Sequence, residues 1–148
     1  MAVTELHRIT TTLNKALDYI QDPKKTDNTL LVSGYACAPE TAFHQFNQTK
    51  RNADKKNGTL AFHLIQSFSP GEVDYETAHK IGIELADKIL KGRFQYVIAT
   101  HIDRGHVHNH LLINSVSFKD YQKFHSTAST LRLIRRTSDM LCKEHNLS

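Results

Sequence analysis

Little in this 148-residue chain points away from a reducing, aqueous compartment. Its two cysteines, Cys37 and Cys142, belong to no spaced motif, so they read as reduced and structural in a cytoplasmic setting. No apolar run approaches the roughly 20 residues that a membrane span needs. The opening Met1-Ala-Val-Thr-Glu-Leu-His7 lacks a signal peptide's basic start and apolar stretch. There is no internal repeat and no low-complexity segment. What remains is a single domain, long enough to bury a core without disulfide or metal staples. Its 39% hydrophobic and 23% charged residues are ordinary for a soluble globular protein. A formal charge of +4 and a pI near 9.1 suit a polyanionic partner.

Histidine, by contrast, is concentrated. Four of the ten histidines fall within His101-Ile-Asp103-Arg104-Gly-His106-Val-His108-Asn-His110. The segment before it, Phe94 to Thr100, is β-branched and aromatic, and the segment after it alternates a polar set with Val107, Leu111 and Ile113. This pattern predicts two strands joined by a turn at Asp103-Arg104-Gly105. Residues two apart on a strand share a face at about 6.6 to 6.8 Å, so His108 and His110 project side by side and the turn returns His101 beside them. Metal–nitrogen bonds of about 2.0 to 2.1 Å leave little slack, and His106 and His110 are separated by about 13 Å of backbone. The metal ligands selected on this basis are His101, His108 and His110. His106 is left to support a ligand or face DNA, and Asp103 to orient a ligand imidazole through its other nitrogen. Three neutral nitrogens leave coordination positions open, the arrangement of a catalytic rather than a structural ion.

The rest of the chain supplies strands and helices in irregular alternation. Residues 2 to 9 read as a strand, and Thr10 to Thr12 as caps for a helix that buries Leu13, Ala16, Leu17 and Ile20, with Tyr19 to one side. After Asp22-Pro23, Lys24-Lys25-Thr26 forms a basic, hydroxyl-bearing loop suited to phosphate oxygens. Thr29 to Ser33 reads as a buried strand, and Pro39 as the start of a helix turning Ala42, Phe43 and Phe46 inward. That helix fades into a charged loop from Lys50 to Gly58. Thr59 to Phe68 is a strand with a polar end; Asp74 then caps a long helix burying Ala78, Ile81, Leu85 and Ile89, stopped by Gly92. Beyond the histidine hairpin, Phe118 to Phe124 pairs briefly, and Ser126 starts a last helix using Leu131, Ile134 and Leu141. Direct pairing within 94–117 favours an α+β fold: an antiparallel β-sheet with helices packed on one face and metal-binding histidines on the open face.

The combination His101-x-Asp103-x-x-His106-x-His108-x-His110-x-x-x-Asn114 resembles the third motif of conjugative relaxases, mobilisation nucleases of the histidine-hydrophobe-histidine endonuclease superfamily, of the VirD2-like MobP type. Leu-Asp-Tyr19 through Lys25-Thr26 is similar to their first motif, and His63-Leu-Ile-Gln-Ser67 through Glu72 to their second, so the resemblance runs from Tyr19 nearly to the end. It implies an enzyme that nicks one strand at an origin of transfer, stays covalently on the 5′ phosphate and later reseals it, for transfer of a plasmid or integrative element. Tyr19 would be the nucleophile, His101, His108 and His110 the metal ligands, and Ser67 a DNA contact near the cut. Asn114 completes the motif and joins the DNA-binding set with Lys24, Lys25, Thr26, Ser67, Arg104 and His106. Either Asp103 or Glu72 would take the tyrosine proton. The family leads to Mn²⁺ or Mg²⁺, whereas three imidazoles alone suit Zn²⁺ or Ni²⁺.

Relaxases usually continue into further regions, so residues 1–148 read as a catalytic core forming the N-terminal part of a longer protein. Its expected partners are single-stranded or hairpin origin DNA and accessory mobilisation and coupling proteins. The first motif contains no tyrosine pair, which disfavours variants that cleave twice with neighbouring tyrosines. Three other readings compete: a rolling-circle replication initiator, whose tyrosine follows the histidine motif, where Tyr121 stands; a non-catalytic DNA-binding module with the metal clamping its hairpin; and a metal-dependent hydrolase activating water.

Overall fold

The computed structural model describes residues 2–53, 58–102 and 105–147. Five strands, β1 (Val3–Ile9), β2 (Val32–Tyr35), β3 (Ala61–Ser67), β4 (Tyr96–His101) and β5 (His108–Asn114), make one sheet in the order β1-β3-β5-β4-β2. All neighbours are antiparallel. The helices are α1 (Leu13–Ile20), α2 (Ala42–Arg51, entered through a 3₁₀ turn at Pro39–Thr41), α3 (Tyr75–Leu90) and α4 (Ala128–Glu144).

The two long helices pack on one face, as the α+β reading expects. There α3 and α4 bury Ile81, Leu85, Ile134 and Leu141 against Phe62, Leu64, Ile98, Leu111 and Ile113. The expectation of helices on one face alone does not hold for the two short helices. Leu13, Leu17, Ile20, Ala42 and Phe46 of α1 and α2 pack against Ala61, Val97, Ala99 and Leu112 on the opposite face. This explains why β4 and most of β5 are buried on both sides, a pattern that suppresses polar alternation in a strand. At the edge, β1 keeps Val3, Glu5 and His7 exposed, because the short helices do not reach across it.

Several boundaries differ from the sequence expectation for local reasons. Asp27, Asn28 and Thr29 all take positive φ, so the chain is still turning where a strand is expected to begin, and β2 starts at Val32. Thr12 precedes α1 with φ 54° and makes no side-chain cap. By contrast, Asp74 caps α3 through the Thr77 amide, and Thr127, one residue after Ser126, shares a reciprocal capping box with Thr130 at α4. Lys91 takes the left-handed position that ends α3, ahead of Gly92. Phe43 and Leu131 are exposed rather than core, and the end of α3 buries Leu90 more deeply than Ile89. Both cysteines are free thiols.

A chain of buried and half-buried polar side chains crosses the α3 face. Thr100 donates to Asn109 Oδ1 at 2.7 Å, so its hydroxyl accepts from Nδ1 of His79, 2.8 Å away. Nε2 of His79 is therefore left to accept from Ser33 Oγ at 2.7 Å. On the other side, Asn109 Nδ2 donates to Gln66 Oε1 and to the carbonyl of Ala78 in α3, and Gln66 Nε2 donates to Ser138 in α4. The helix comes this close because Gly82 has no side chain: a Cβ there would stand 2.7 Å from Asn109 Nδ2 and 2.5 Å from Ile98 Cδ1. By helix propensity alone, Gly82→Ala would stabilise α3 by about 1 kcal/mol. We expect it instead to destabilise the protein by about 1 to 3 kcal/mol in urea unfolding, because overpacking displaces the helix from the sheet. A stabilised variant would show that the contact yields easily.

Candidate active site

The histidine hairpin sets the centre of the site. His101 and His108 are direct cross-strand partners, and His110 lies two pairs further along, opposite Ala99. All three share the face that carries α1 and α2, with His101 and His110 buried and His108 partly so. The rings of His101 and His110 are 4.0 Å apart between centroids, and those of His108 and His110 are 6.1 Å apart. The small side chain of Ala99 opposite His110 gives the two imidazoles room to approach.

Hydrogen bonding decides which nitrogens can act. Nε2 of His101 is 2.8 Å from the carbonyl of Ile20; a carbonyl only accepts, so the ring proton sits on Nε2 and the lone pair on Nδ1. Nδ1 of His110 is 2.8 Å from Nε2 of His63 in β3, which reserves Nε2 of His110 as its other donor. Both His63 and His110 are held neutral. Burial, reinforced by neighbouring histidines, pushes His63 down to about 4 and His110 down to about 2. Among the described residues no group of three His, Cys, Asp or Glu side chains stands ready to hold a metal ion. The donor chemistry nonetheless fits one, because His101 and His110 are imidazoles each with one ring nitrogen engaged by the protein, the way metal-ligating histidines are oriented.

Tyr19 reaches this centre from α1. Leu13, Leu17 and Ile20 hold the helix against the sheet, leaving Tyr19 on its flank, 52% exposed. Its ring lies edge-on to His101 at 5.8 Å and to His110 at 6.4 Å. Lys25 Nζ sits 4.9 Å from the centre of the Tyr19 ring, a cation–π contact. Its loop is pinned by the Ile102 amide donating to the Lys25 carbonyl. Tyrosine, two imidazoles and an ammonium thus converge from three separate parts of the chain.

Other expected residues divide. Ser67 is paired with His108 across β3 and β5 on the same face, His106 is exposed with its ring 6.0 Å from that of His108, and Lys24 is exposed in the α1–β2 loop. Two members of the DNA-binding set are corrected. Thr26 is fully buried, its hydroxyl donating to the Asp22 carbonyl and accepting from the Thr29 amide. Asn114 is likewise buried, its amide donating to the Phe46 carbonyl and to Gln95 Oε1, so it fastens α2 to β5 and does not face DNA. Glu72 accepts from the Ser69 amide within its own turn, and its charge acts on Cys142 in α4; neither interaction brings it to Tyr19. Asp103 and Arg104 lie outside the described residues. Sequence reasoning passed over His63. Its signal was parity: position 63 falls on the same face of β3 as Ser67, but its neighbours depend on the β3–β5 register.

Residues 19–147 match the family model described as relaxase, MobA/VirD2-like, nuclease domain. The chain is 36% identical over all of its 148 residues to a protein named Protein rlx from Staphylococcus aureus, of which it covers 45%. It is 31% identical over 140 residues to a group II intron-interrupted relaxase, LtrB, from Lactococcus lactis; that match takes in 76% of this chain and 24% of the relative. The chain therefore spans less than half the length of these relatives. The fold matches a solved structure described under "Molecular Basis of Vancomycin Resistance Transfer in Staphylococcus aureus", with a TM-score of 0.67, 12% identity and coverage of 100% of this chain and 95% of the other.

The buried neutral histidines generate a pH dependence. An unfolded histidine takes its proton near pH 6.5, whereas folded His63 does so near 4. Between these values the unfolded chain binds more protons, so stability is present above about pH 6.5 and is lost as the pH falls. The urea midpoint of the metal-free protein should fall between pH 6.5 and 4, and His63→Gln should flatten that slope. A midpoint constant across the window would contradict the burial of these rings as neutral groups.

Proposed function

The chain belongs to the MobA/VirD2-like relaxase nuclease-domain family, and on that premise we propose that residues 1–148 form the catalytic domain of a DNA relaxase acting at an origin of transfer. The observation that carries this reading is the edge contact of Tyr19 with both His101 and His110. In it, the phenolic oxygen of Tyr19 attacks the phosphorus of one strand, the 3′ oxygen leaves with its bonding pair, and the 5′ phosphate remains on the tyrosine. The reverse reaction reseals the strand, because the phosphotyrosine diester conserves the bond. Asp103 is the proposed acceptor of the phenolic proton.

His101, His108 and His110 would hold a divalent ion, Mn²⁺ or Mg²⁺ by family resemblance and Zn²⁺ or Ni²⁺ by donor type. When bound, such an ion supplies Lewis-acid stabilisation of charge on the phosphate oxygens. Lys25 adds a fixed positive charge beside the nucleophile, and Ser67, His106 and Lys24 line the approach for single-stranded or hairpin DNA. Accessory mobilisation and coupling proteins are the partners such an activity calls for. A replication initiator using Tyr121 is disfavoured: that residue follows the far end of β5, whose last residue, Asn114, is four strand positions from His110, about 13 Å.

Tyr19→Phe should abolish the covalent protein–DNA band on a denaturing gel with a labelled single-stranded origin oligonucleotide and Mn²⁺. Cleavage should drop by at least about 10³-fold, with little change in DNA affinity. An adduct that persists in the variant would reassign the nucleophile, and free cut ends without any adduct from the unmodified chain would favour the water-activating hydrolase. Binding of the same oligonucleotide should weaken steeply with salt. Replacing Lys24 and Lys25 by Gln should lower the log–log slope by about 1.4, given roughly 0.7 per phosphate contact on a single strand. An unchanged slope would remove the two lysines from the phosphate path.

A further inference from the structure

The pair His63 and His110 carries more than a packing contact. Their facing nitrogens, Nε2 and Nδ1, stand 2.8 Å apart, a separation at which one N–H must lie between two ring nitrogens, with the second nitrogen offering a lone pair. Two protons there would repel, and two lone pairs likewise. Across the sheet the residue opposite His110 in β3 is Ile65, and His63 stands opposite Leu112. The bond therefore runs diagonally on one face, within reach of long side chains, and the rings tilt 37° at 5.1 Å to make it.

Resting on the reading that His101, His108 and His110 hold a divalent ion, we propose that His63 is a positioning residue that places the ring proton of His110 on Nδ1 and so presents Nε2 of His110 to the ion. The direction of the bond follows from ligand chemistry. A nitrogen that carries a proton cannot coordinate, so a His110 that ligates through Nε2 must donate from Nδ1. His63 then accepts at Nε2 and bears its own proton on Nδ1. His101 is fixed in the opposite sense, since the Ile20 carbonyl claims Nε2–H and leaves Nδ1 as the donor. One ligand is set by a helix carbonyl and the other by a second histidine, and they turn different nitrogens toward the ion.

The bond can be read in the chain as it stands, without any substitution. In ¹⁵N-histidine-labelled, metal-free protein at neutral pH, a nitrogen–nitrogen coupling across the hydrogen bond is expected, with the proton on Nδ1 of His110. A proton on Nε2 of His63, or no coupling, overturns the proposal. Calorimetric titration with Mn²⁺ and with Ni²⁺ provides the functional arm. His63→Leu should weaken binding by roughly 10- to 100-fold, as loss of an orienting partner does, while His63→Gln, whose amide oxygen can still accept, should recover most of the affinity. Equal affinity in the unsubstituted chain and His63→Leu overturns the positioning role while leaving the ligand reading intact. A chain that binds neither ion overturns the ligand reading itself, and the proposal falls with it.

Discussion

The bond from His101 to the Ile20 carbonyl is the constraint on which the site depends. The last carbonyls of a helix have no partner within it, and α1 ends at Ile20 under the edge of β4, where His101 supplies a donor. Two backbone bonds extend the seam: Ile102 donates to the Lys25 carbonyl and Thr100 to the Leu31 carbonyl. Together they lash the α1–β2 connection to the end of β4, so that Tyr19 and Lys25 inherit their places from the strand that carries the histidine. A residue read as a metal ligand is thereby also a structural bolt for the helix bearing Tyr19.

The two faces of the sheet answer different requirements. On the α3 and α4 side, a run of buried and half-buried polar groups is linked by hydrogen bonds from Ser33 through His79, Thr100, Asn109 and Gln66 to Ser138. On the other side, the short helices cover Val97, Ala99 and Leu112 but stop before β1, which leaves the histidines at the margin of a covered region. Burial there keeps His63 and His110 neutral, while Tyr19 stays half exposed to solvent.

How much of this was legible in the sequence depended on range. Strand parity and a short turn sufficed to place His101 beside His108 and His110, because all three lie within one hairpin. The long helices followed from their apolar spacing and the cap at Asp74. Contacts set by distant pairing were out of reach. Asn114 looked like part of a functional motif, yet its neighbours are Phe46 and Gln95; Thr26 looked like a phosphate ligand, yet its hydroxyl closes its own turn. Helices on one face were expected because nothing local reveals that α1 and α2 cross to the other side of the sheet. His63 escaped for the same reason, since only the β3–β5 register brings it to His110.

The asparagine between the two histidines has a consequence for how the chain finds its structure. An apolar residue at position 109 would lose less in a strand shifted by one residue, since Leu111, Leu112 and Ile113 further along β5 are apolar on both faces. With Asn109, such a shift would turn the amide toward the other face, drive His108 and His110 into the packing of α3, and take from Thr100, Gln66 and the Ala78 carbonyl the bonds they make with that amide. Each buried group left unsatisfied costs about 1 to 3 kcal/mol, and a one-residue slip reverses every side chain at once. The polar chain beneath the sheet therefore works as a lock on alignment, admitting the one pairing in which the histidines face the tyrosine.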